Sequence, residues 1–170
     1  MNNKKMENAF VKYDLIEADK CLKFKKLDDW LNKESSIFLD ETMSFCEMYP
    51  NFKRGEILKV DFGVGIGSEW SHSHFAIVLN KDDTTKNDNI TVVPLTSKNG
   101  YNRLYLGKLI SELKLNEKYN KDSYVAISHI TTISKRRILP MNKKYFCNGD
   151  ILDKIDKEII KSFTGKKIDK

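Results

Sequence analysis

Residues 54–98 read RGEILKVDFGVGIGSEWSHSHFAIVLNKDDTTKNDNITVVPLTSK and contain three predicted strands in succession. Apolar and polar residues alternate over 58–62, which predicts a half-buried strand, and the unbroken apolar run over 75–79 predicts a central strand. A glycine-rich loop joins these two strands. A third strand is predicted over 90–95, with Pro94 at its end or at a bulge because proline cannot donate to a strand ladder.

The chain after this stretch adds further strands and one helix. Short strands are predicted over 101–106, 124–127 and 130–134, and residues 151–163 have the spacing of an amphipathic helix with Asp150 as its N-cap. Strands at this spacing predict an α+β, mainly β fold. We expect a small, twisted antiparallel sheet or partly closed barrel, capped by the last helix.

The first 50 residues have a helical period instead. Their apolar residues recur in two stripes, formed by Val11, Leu15, Ala18 and Leu22 and then by Leu27, Trp30 and Leu31. A break is predicted over 31–36, after which Ser36 caps a further short helix. Pro50 ends the helical region, because the residue before a proline avoids helical backbone angles.

Charge divides the chain at the same place. Residues 1–50 hold 8 lysines and 10 acidic residues, a sum of −2, whereas residues 51–170 hold 22 basic and 14 acidic residues, a sum of +8. Such an excess favours a polyanionic partner, because Lys and Arg contacts to phosphates release counterions, although lysine-rich surfaces also serve solubility. We expect a helical extension over 1–50, a β-rich domain over 51–165 and a basic tail over 166–170.

The composition also predicts the compartment. No stretch approaches the roughly 18–20 apolar residues of a membrane span, and the N-terminus lacks the apolar centre of a secretory signal. The cysteines Cys21, Cys46 and Cys147 are widely spaced and form no CxxC pair, so we expect reduced and mostly buried thiols. A cytoplasmic protein with no membrane contact is predicted.

Several short motifs occur in the order found in one family of small bacterial proteins. They are Arg54-Gly55-Glu56, Gly67-Ser68-Glu69, Phe75-Ala76-Ile77-Val78-Leu79-Asn80, Val92-Val93-Pro94-Leu95-Thr96-Ser97-Lys98 and ITTISKRRI at residues 130–138. Over about residues 52–163 the chain thereby resembles the MazF/PemK toxins of toxin–antitoxin pairs. The resemblance implies an SH3-like barrel that forms a homodimer, cleaves single-stranded RNA without a metal or other cofactor, and has a cognate antitoxin protein as partner.

The resemblance also implies which residues carry the chemistry. Attack by a ribose 2′-OH leaves a 2′,3′-cyclic phosphate and a 5′-hydroxyl, and it needs a base, donors to the phosphorane and an acid. In the family an arginine and a threonine supply most of this; the threonine corresponds to Thr96, whereas the arginine position holds His74. Histidine can move a proton near neutral pH but lacks the bidentate grip of arginine on phosphate. We therefore expect Lys98, Lys53 or Arg103 to supply the missing cation.

His72 is a second candidate for proton transfer. If His72 and His74 belong to one extended segment, their side chains point the same way, so that one can act as base and the other as acid. The alternative is a single catalytic histidine.

The neighbouring residues that match the family are further candidates. Ser68 and Glu69 either orient groups around the phosphate or satisfy backbone donors of a turn. Trp70 either stacks on a base or forms a hydrophobic lid. Ser97, next to Thr96 in the matched segment, is a candidate RNA-binding residue.

Two other functions are compatible with these residues. A zinc site formed by His72, His74 and either His129 or Cys147 is one, although nothing supplies a close fourth ligand. The other is a domain that lost catalysis with the arginine and only binds RNA or a peptide, since one fold hosts many functions. The resemblance favours the endoribonuclease, as the toxin of a toxin–antitoxin or phage-defence module. The basic run at 135–137 is either an RNA contact or a solvated face.

Overall fold

The computed structural model describes residues 26–43, 48–109 and 121–166. The two helices are α1 (Leu27–Met43) and α2 (Gly149–Thr164), and the strands are β1 (Glu56–Asp61), β2 (Ser73–Val78), β3 (Asn89–Thr96), β4 (Arg103–Tyr105), β5 (Tyr124–Ala126), β6 (Thr131–Ser134), β7 (Ile138–Leu139) and β8 (Tyr145–Phe146). Two single 3₁₀ turns, Ile127–His129 and Lys135–Arg137, flank β6.

All eight strands join one antiparallel sheet in the order β4-β5-β3-β2-β1-β7, with β6 paired to β3 and β8 paired to β1. Within the described ranges β4 and β7, at the two ends of this order, do not pair, so the sheet is open. The predicted antiparallel sheet with a C-terminal helix is confirmed.

β3 is the strand at which the sheet divides. Its first four residues pair with β6, its last two pair with β5, and β2 pairs along its other side. Pro94 lies where the partner changes from β6 to β5. The Leu79 N–H donates to the Thr91 carbonyl at 3.0 Å, so in this alternating ladder the pair Ala76 and Pro94 is a non-hydrogen-bonded one. The nitrogen of Pro94 therefore points away from β2, toward the side of β3 where the partner strand changes from β6 to β5. Its lack of an N–H removes no hydrogen bond from the ladder, so this proline fits inside the strand rather than at its end or at a bulge.

The two faces of the sheet bury two clusters of apolar side chains, as the strand period of two requires. One cluster lies beneath α2 and includes Ile57, Ile77, Val93, Leu95, Val125 and Ile155. The other lies on the opposite face and includes Leu58, Val60, Ala76, Val78, Ile90 and Val92. Full burial of a Val, Leu or Ile side chain contributes about 1.5–3 kcal/mol before entropy is subtracted.

The predicted C-terminal helix is confirmed, but its cap differs. The Asn148 side chain accepts a hydrogen bond from the Ile151 N–H at 2.9 Å, whereas Asp150 is the second residue of the helix. Asn148 has the extended backbone of an N-cap, so it closes this end of the helix. Gly165, in the left-handed conformation, closes the other end.

The break predicted over 31–36 is wrong, because α1 runs through it without interruption. The hydroxyls of Ser35 and Ser36 donate to the carbonyls of Leu31 and Asn32, one turn earlier. Serine can occupy a helix interior in this way, so Ser36 is no cap. The earlier stripe, from Val11 to Leu22, lies outside the described residues.

Among the cysteines, Cys147 is buried, and burial raises the pKa of its thiol to about 12. Cys21 and Cys46 lie outside the described residues. In the described part of the chain, neither helix has the length and apolar run needed to cross a membrane.

Candidate active site

A cleft of about 540 Å³ opens between the β1–β2 loop, the start of β2, the end of β3 and the start of β4. Eight of the ten residues predicted for the site line it: His74, Thr96, Ser68, Glu69, Trp70, Ser97, Lys98 and Arg103. These residues come from four separate segments of the chain. The fold therefore brings most of the candidate residues to one place.

His74 and Thr96 lie on neighbouring strands. The ladder between β2 and β3 pairs Ala76 with Pro94. Continued by two residues, the same antiparallel register places His74 opposite Thr96. The β2–β3 ladder ends at Ala76 and Pro94, while the last two residues of β3 pair with β5 on the opposite side, so the ends of β2 and β3 open around the cleft.

The Thr96 hydroxyl is oriented by the chain that follows it. Its Oγ1 accepts a hydrogen bond from the Lys98 N–H at 3.2 Å, and the side chain is buried except for 8% of its surface. Because the oxygen accepts from the backbone, its own proton can be donated to a ligand in the cleft. Such a donor suits an oxyanion.

The pKa of His74 is lowered from its ordinary value. Burial of the ring is the main cause, because it disfavours the imidazolium, and the nearby His72 adds to the effect. The carbonyls of Leu95 and Ser71 act in the opposite direction without cancelling it. His74 is therefore mainly neutral at pH 7 and can accept a proton.

Three cations surround this pair. Lys98 and Arg103 were predicted, and the Arg103 guanidinium donates to the Lys98 carbonyl at 2.6 Å, which ties β4 to the end of β3. Lys59 on β1 was not among the predicted residues, yet it lines the cleft and lies 5.9 Å from the centroid of the Phe75 ring. The signal for Lys59 is the register, which pairs it with Phe75, the residue after His74.

Trp70 separates this cleft from a second one. Its indole lies 5.0 Å from the rings of both His74 and His129, and Phe62 meets it edge-on at 6.4 Å. The Arg103 guanidinium lies 6.0 Å from the indole centroid. Trp70 packs against protein rings on both sides, and within the described residues its buried Nε1–H has no hydrogen-bond partner.

Ser68 and Glu69 hold the shape of the β1–β2 loop. The Glu69 carboxylate accepts from the Ile66 N–H at 2.6 Å, and the Ser68 carbonyl lies 3.4 Å from Nε2 of His129. The Ser71 hydroxyl accepts from the Gly65 N–H at 3.1 Å. The Glu69 contact is the turn role expected as one alternative, whereas the contact of Ser68 involves its backbone carbonyl; both side chains line the cleft.

His72 does not lie in the expected extended segment. Its φ is +65°, its N–H donates to the Gly63 carbonyl at 2.6 Å and its carbonyl accepts from Phe62. β2 starts only at Ser73, so the alternation that was to align His72 with His74 does not reach it. His72 is absent from the cleft lining, although its charge still lowers the pKa of His74.

Lys53 also lies elsewhere. It precedes β1, and its N–H donates to the Glu56 carboxylate at 3.1 Å. The cleft lies toward the other end of β1, where Asp61 pairs with Ser73. Closeness in sequence to the motif misled the prediction for Lys53.

The second cleft, of about 620 Å³, lies on the far side of Trp70 along β6. His129 and Arg137 line it, and Glu69 and Trp70 border both clefts. In the described part of the chain no three His, Cys, Asp or Glu side chains are grouped as metal ligands. The zinc set considered from the sequence, which needs His72, His74 and either His129 or Cys147, is therefore not assembled.

Comparison with known proteins identifies the family. A family model described as PemK-like, MazF-like toxin of type II toxin–antitoxin system matches residues 53–163. The match covers well over half of the chain, and the chain belongs to this family. No curated protein sequence matches it.

Two solved bacterial structures that this chain matches have low sequence identity to it. MazF from Deinococcus radiodurans is 17% identical, with 69% of this chain and 99% of that chain covered and a TM-score of 0.49. An endoribonuclease in complex with its cognate antitoxin, from a mycobacterial species, is 14% identical, with coverages of 65% and 93% and a TM-score of 0.46.

Proposed function

We propose that this protein is an endoribonuclease that cleaves single-stranded RNA by attack of a ribose 2′-OH on the adjacent phosphate. One observation carries the proposal: His74 and Thr96, from neighbouring strand ends, line one cleft together with Lys59, Lys98 and Arg103. A base, a hydroxyl donor and cations are the groups that this reaction requires.

His74 is the proposed base. Its lowered pKa keeps the imidazole neutral at pH 7, so it can take the proton of the 2′-OH. The 2′-oxygen then bonds to phosphorus and the bond from phosphorus to the 5′-oxygen breaks. The products are a 2′,3′-cyclic phosphate and a 5′-hydroxyl, and no metal takes part in these steps.

Thr96 and the cations are proposed to stabilise the phosphorane. The Thr96 hydroxyl donates to a phosphate oxygen, and Arg103 replaces the bidentate grip that a histidine cannot provide. Lys98, which is exposed to solvent, gives a proton to the departing 5′-oxygen and is reprotonated from water. The proton taken by His74 returns to solvent, which balances the reaction.

We also propose the biological setting. Since the family consists of toxins of type II toxin–antitoxin systems, we infer a toxin that a cognate antitoxin protein binds, acting as a homodimer in the cytoplasm. Its division into an extension over 1–50, a catalytic domain over 51–165 and a short basic tail is part of this proposal. A toxin that acts in a phage-defence module is the alternative biological setting.

Incubation of purified protein with a fluorescent RNA oligonucleotide, with and without EDTA, tests the proposal. His74→Ala and Thr96→Val are expected to slow cleavage at least 100-fold, the usual range for a lost base or oxyanion donor, while Lys53→Ala retains the rate. Cyclic phosphate ends and insensitivity to EDTA are also expected. RNA that is bound tightly but stays intact would instead identify a domain that binds RNA without cleaving it. The presence of His74 in place of the family arginine favours this second function.

A further inference from the structure

Helix α1 lies outside the part of the chain that matches the family, and it is strongly acidic. Its 17 residues hold five acidic side chains and a single lysine, Lys33. The domain it packs against carries the positive charge of the chain. α1 is thus an acidic element attached to a basic domain.

The acidic residues of α1 meet two consecutive arginines. Glu34 forms an ion pair with Arg137 at 2.9 Å, and Asp40 forms one with Arg136. Both arginines belong to the 3₁₀ turn after β6. Lys135, the first residue of that turn, is fully buried in an ion pair with Asp83 and cannot face a ligand.

Trp30 packs α1 against the rest of the protein, next to these ion pairs. Trp30 is the buried residue of the helix, and the Arg137 guanidinium lies 4.9 Å from its ring centroid. A Cβ on Gly63 would come within 2.4 Å of the Trp30 ring, so only glycine allows this approach. Lys33 adds an ion pair with Asp61 at the end of β1.

The arginine surface continues into the candidate active site. Arg137 lines the second cleft together with His129, and Trp70 separates that cleft from the one that holds His74. A strand of RNA that leaves the first cleft past Trp70 therefore reaches the second cleft and its arginine. In the structure, the carboxylate of Glu34 lies where a phosphate would contact Arg137.

We propose that Arg136, Arg137 and the second cleft form an additional binding surface for the phosphate backbone of single-stranded RNA, and that α1 occupies it as an acidic mimic which RNA displaces. The proposal rests on RNA being the ligand of the first cleft. Solvent reaches the carboxylates of both pairs, with Asp40 64% and Glu34 30% exposed, whereas Arg136 is 9% and Arg137 26% exposed. Salt weakens ion pairs in which solvent reaches one partner. A polyanion can therefore compete with them.

Binding of a 2′-O-methyl RNA oligonucleotide, which lacks the attacking hydroxyl, tests the surface without cleavage. The variant E34Q/D40N is expected to bind several-fold more tightly than the natural chain. Its affinity should fall more steeply with salt, by roughly 0.7 in log–log slope for each additional phosphate that the protein binds. The control D29N/E41Q changes the net charge equally at α1 positions for which the described contacts include no arginine pair. Equally tighter binding by both variants, or weaker binding by E34Q/D40N, overturns the proposal.

Adding R136Q/R137Q to E34Q/D40N should return the affinity to that of the natural chain or below it, and affinity that stays raised contradicts the assignment of the surface. Hydrogen–deuterium exchange on the natural chain tests displacement even if a variant fails to fold. Exchange within residues 27–43 should rise when the oligonucleotide binds, whereas protection of α1 would refute displacement. Cleavage of unmodified RNA is measured separately: binding without cleavage refutes the catalytic proposal alone, and absence of binding by every variant refutes this surface.

Discussion

The indole of Trp70 lies against the imidazole of His74, with ring centroids 5.0 Å apart and planes inclined by 58°. The indole therefore helps to keep water from the ring whose burial lowers the pKa of His74. We expect Trp70→Ala to raise the pKa of His74 toward about 6.5, its ordinary value. NMR titration of the imidazole protons measures this. Trp30→Ala, which removes the other indole, is the control, and an unchanged or lower pKa of His74 in Trp70→Ala contradicts the assigned cause.

Lys59 and Lys53 form a matched pair for RNA binding. Lys59 lines the cleft and Lys53 does not. We expect Lys59→Gln to weaken binding of single-stranded RNA and to reduce the salt slope by roughly 0.7, the value for one lost phosphate contact. Lys53→Gln should leave the slope unchanged. The measurement is a fluorescence anisotropy titration at several salt concentrations; equal slopes in the two variants would remove Lys59 from the site.

Gly63 and Gly67 differ in what surrounds them. Both have positive φ, 77° and 60°, so alanine strains either position by about 1–2 kcal/mol. At Gly63 a methyl group also meets the Trp30 ring, whereas a methyl group on Gly67 would have no atom of the described residues within 4 Å, apart from its neighbours in the chain. Gly63→Ala should therefore lower the free energy of unfolding by about 1–3 kcal/mol more than Gly67→Ala, the cost of overpacking. Urea denaturation gives both values, and equal losses would show that α1 does not pack here.

Lys135 and Asp83 form a fully buried ion pair that fixes the turn carrying the two arginines. The Lys135 ammonium also donates to the carbonyls of Pro50 and Thr84 at 3.1 and 2.9 Å. Lys135→Met leaves the Asp83 charge buried and unpaired, which should cost about 3–5 kcal/mol of unfolding free energy. Lys161→Met, which removes an exposed pair with Glu158, should cost less than about 1 kcal/mol. A small loss in Lys135→Met would show that water reaches this pair.

The same ion pair predicts a pH dependence. Burial alone raises the pKa of Asp83, but hydrogen bonds from Lys135 and from the Phe52 and Thr84 backbone outweigh it, so the pKa is lowered. A carboxylate with a lowered pKa stabilises the fold above its unfolded value of about 3.9 and loses that contribution as pH falls through the folded value. The stability difference between the natural chain and Lys135→Met should therefore shrink below about pH 4. Urea unfolding from pH 7 to pH 3 measures it, and a constant difference rules out Asp83 as the titrating group.

Local patterns predicted most of the elements. The alternation over 58–62 and the apolar run over 75–79 correspond to β1 and β2, and the spacing over 151–163 corresponds to α2. The helix break over 31–36 was mispredicted, since serine is typical of caps but also fits a helix interior when it bonds the preceding turn. A choice between two local uses of serine cannot be made from composition.

The candidate site was predicted less evenly. The sequence motifs pointed to Thr96 and Lys98 because both lie in a matched segment, and to His74 because it precedes one and occupies the position of the family arginine. They missed Lys59 and misplaced Lys53, since a residue's distance from a cleft depends on which end of its strand faces that cleft. His72 was misplaced for a backbone reason: its positive φ ends the alternation one residue before β2.

The strand and helix periods, the separation of an acidic extension from a basic domain, and the family motifs are all evident from the amino-acid sequence. Those properties are local, because they depend on the spacing and charge of neighbouring residues. The tertiary structure decided which cations surround His74 and Thr96, that Lys135 is buried while Arg136 and Arg137 meet α1, and that the sheet stays open within the described residues. Those depend on strand register and on contacts between residues up to about a hundred positions apart, which no local pattern encodes.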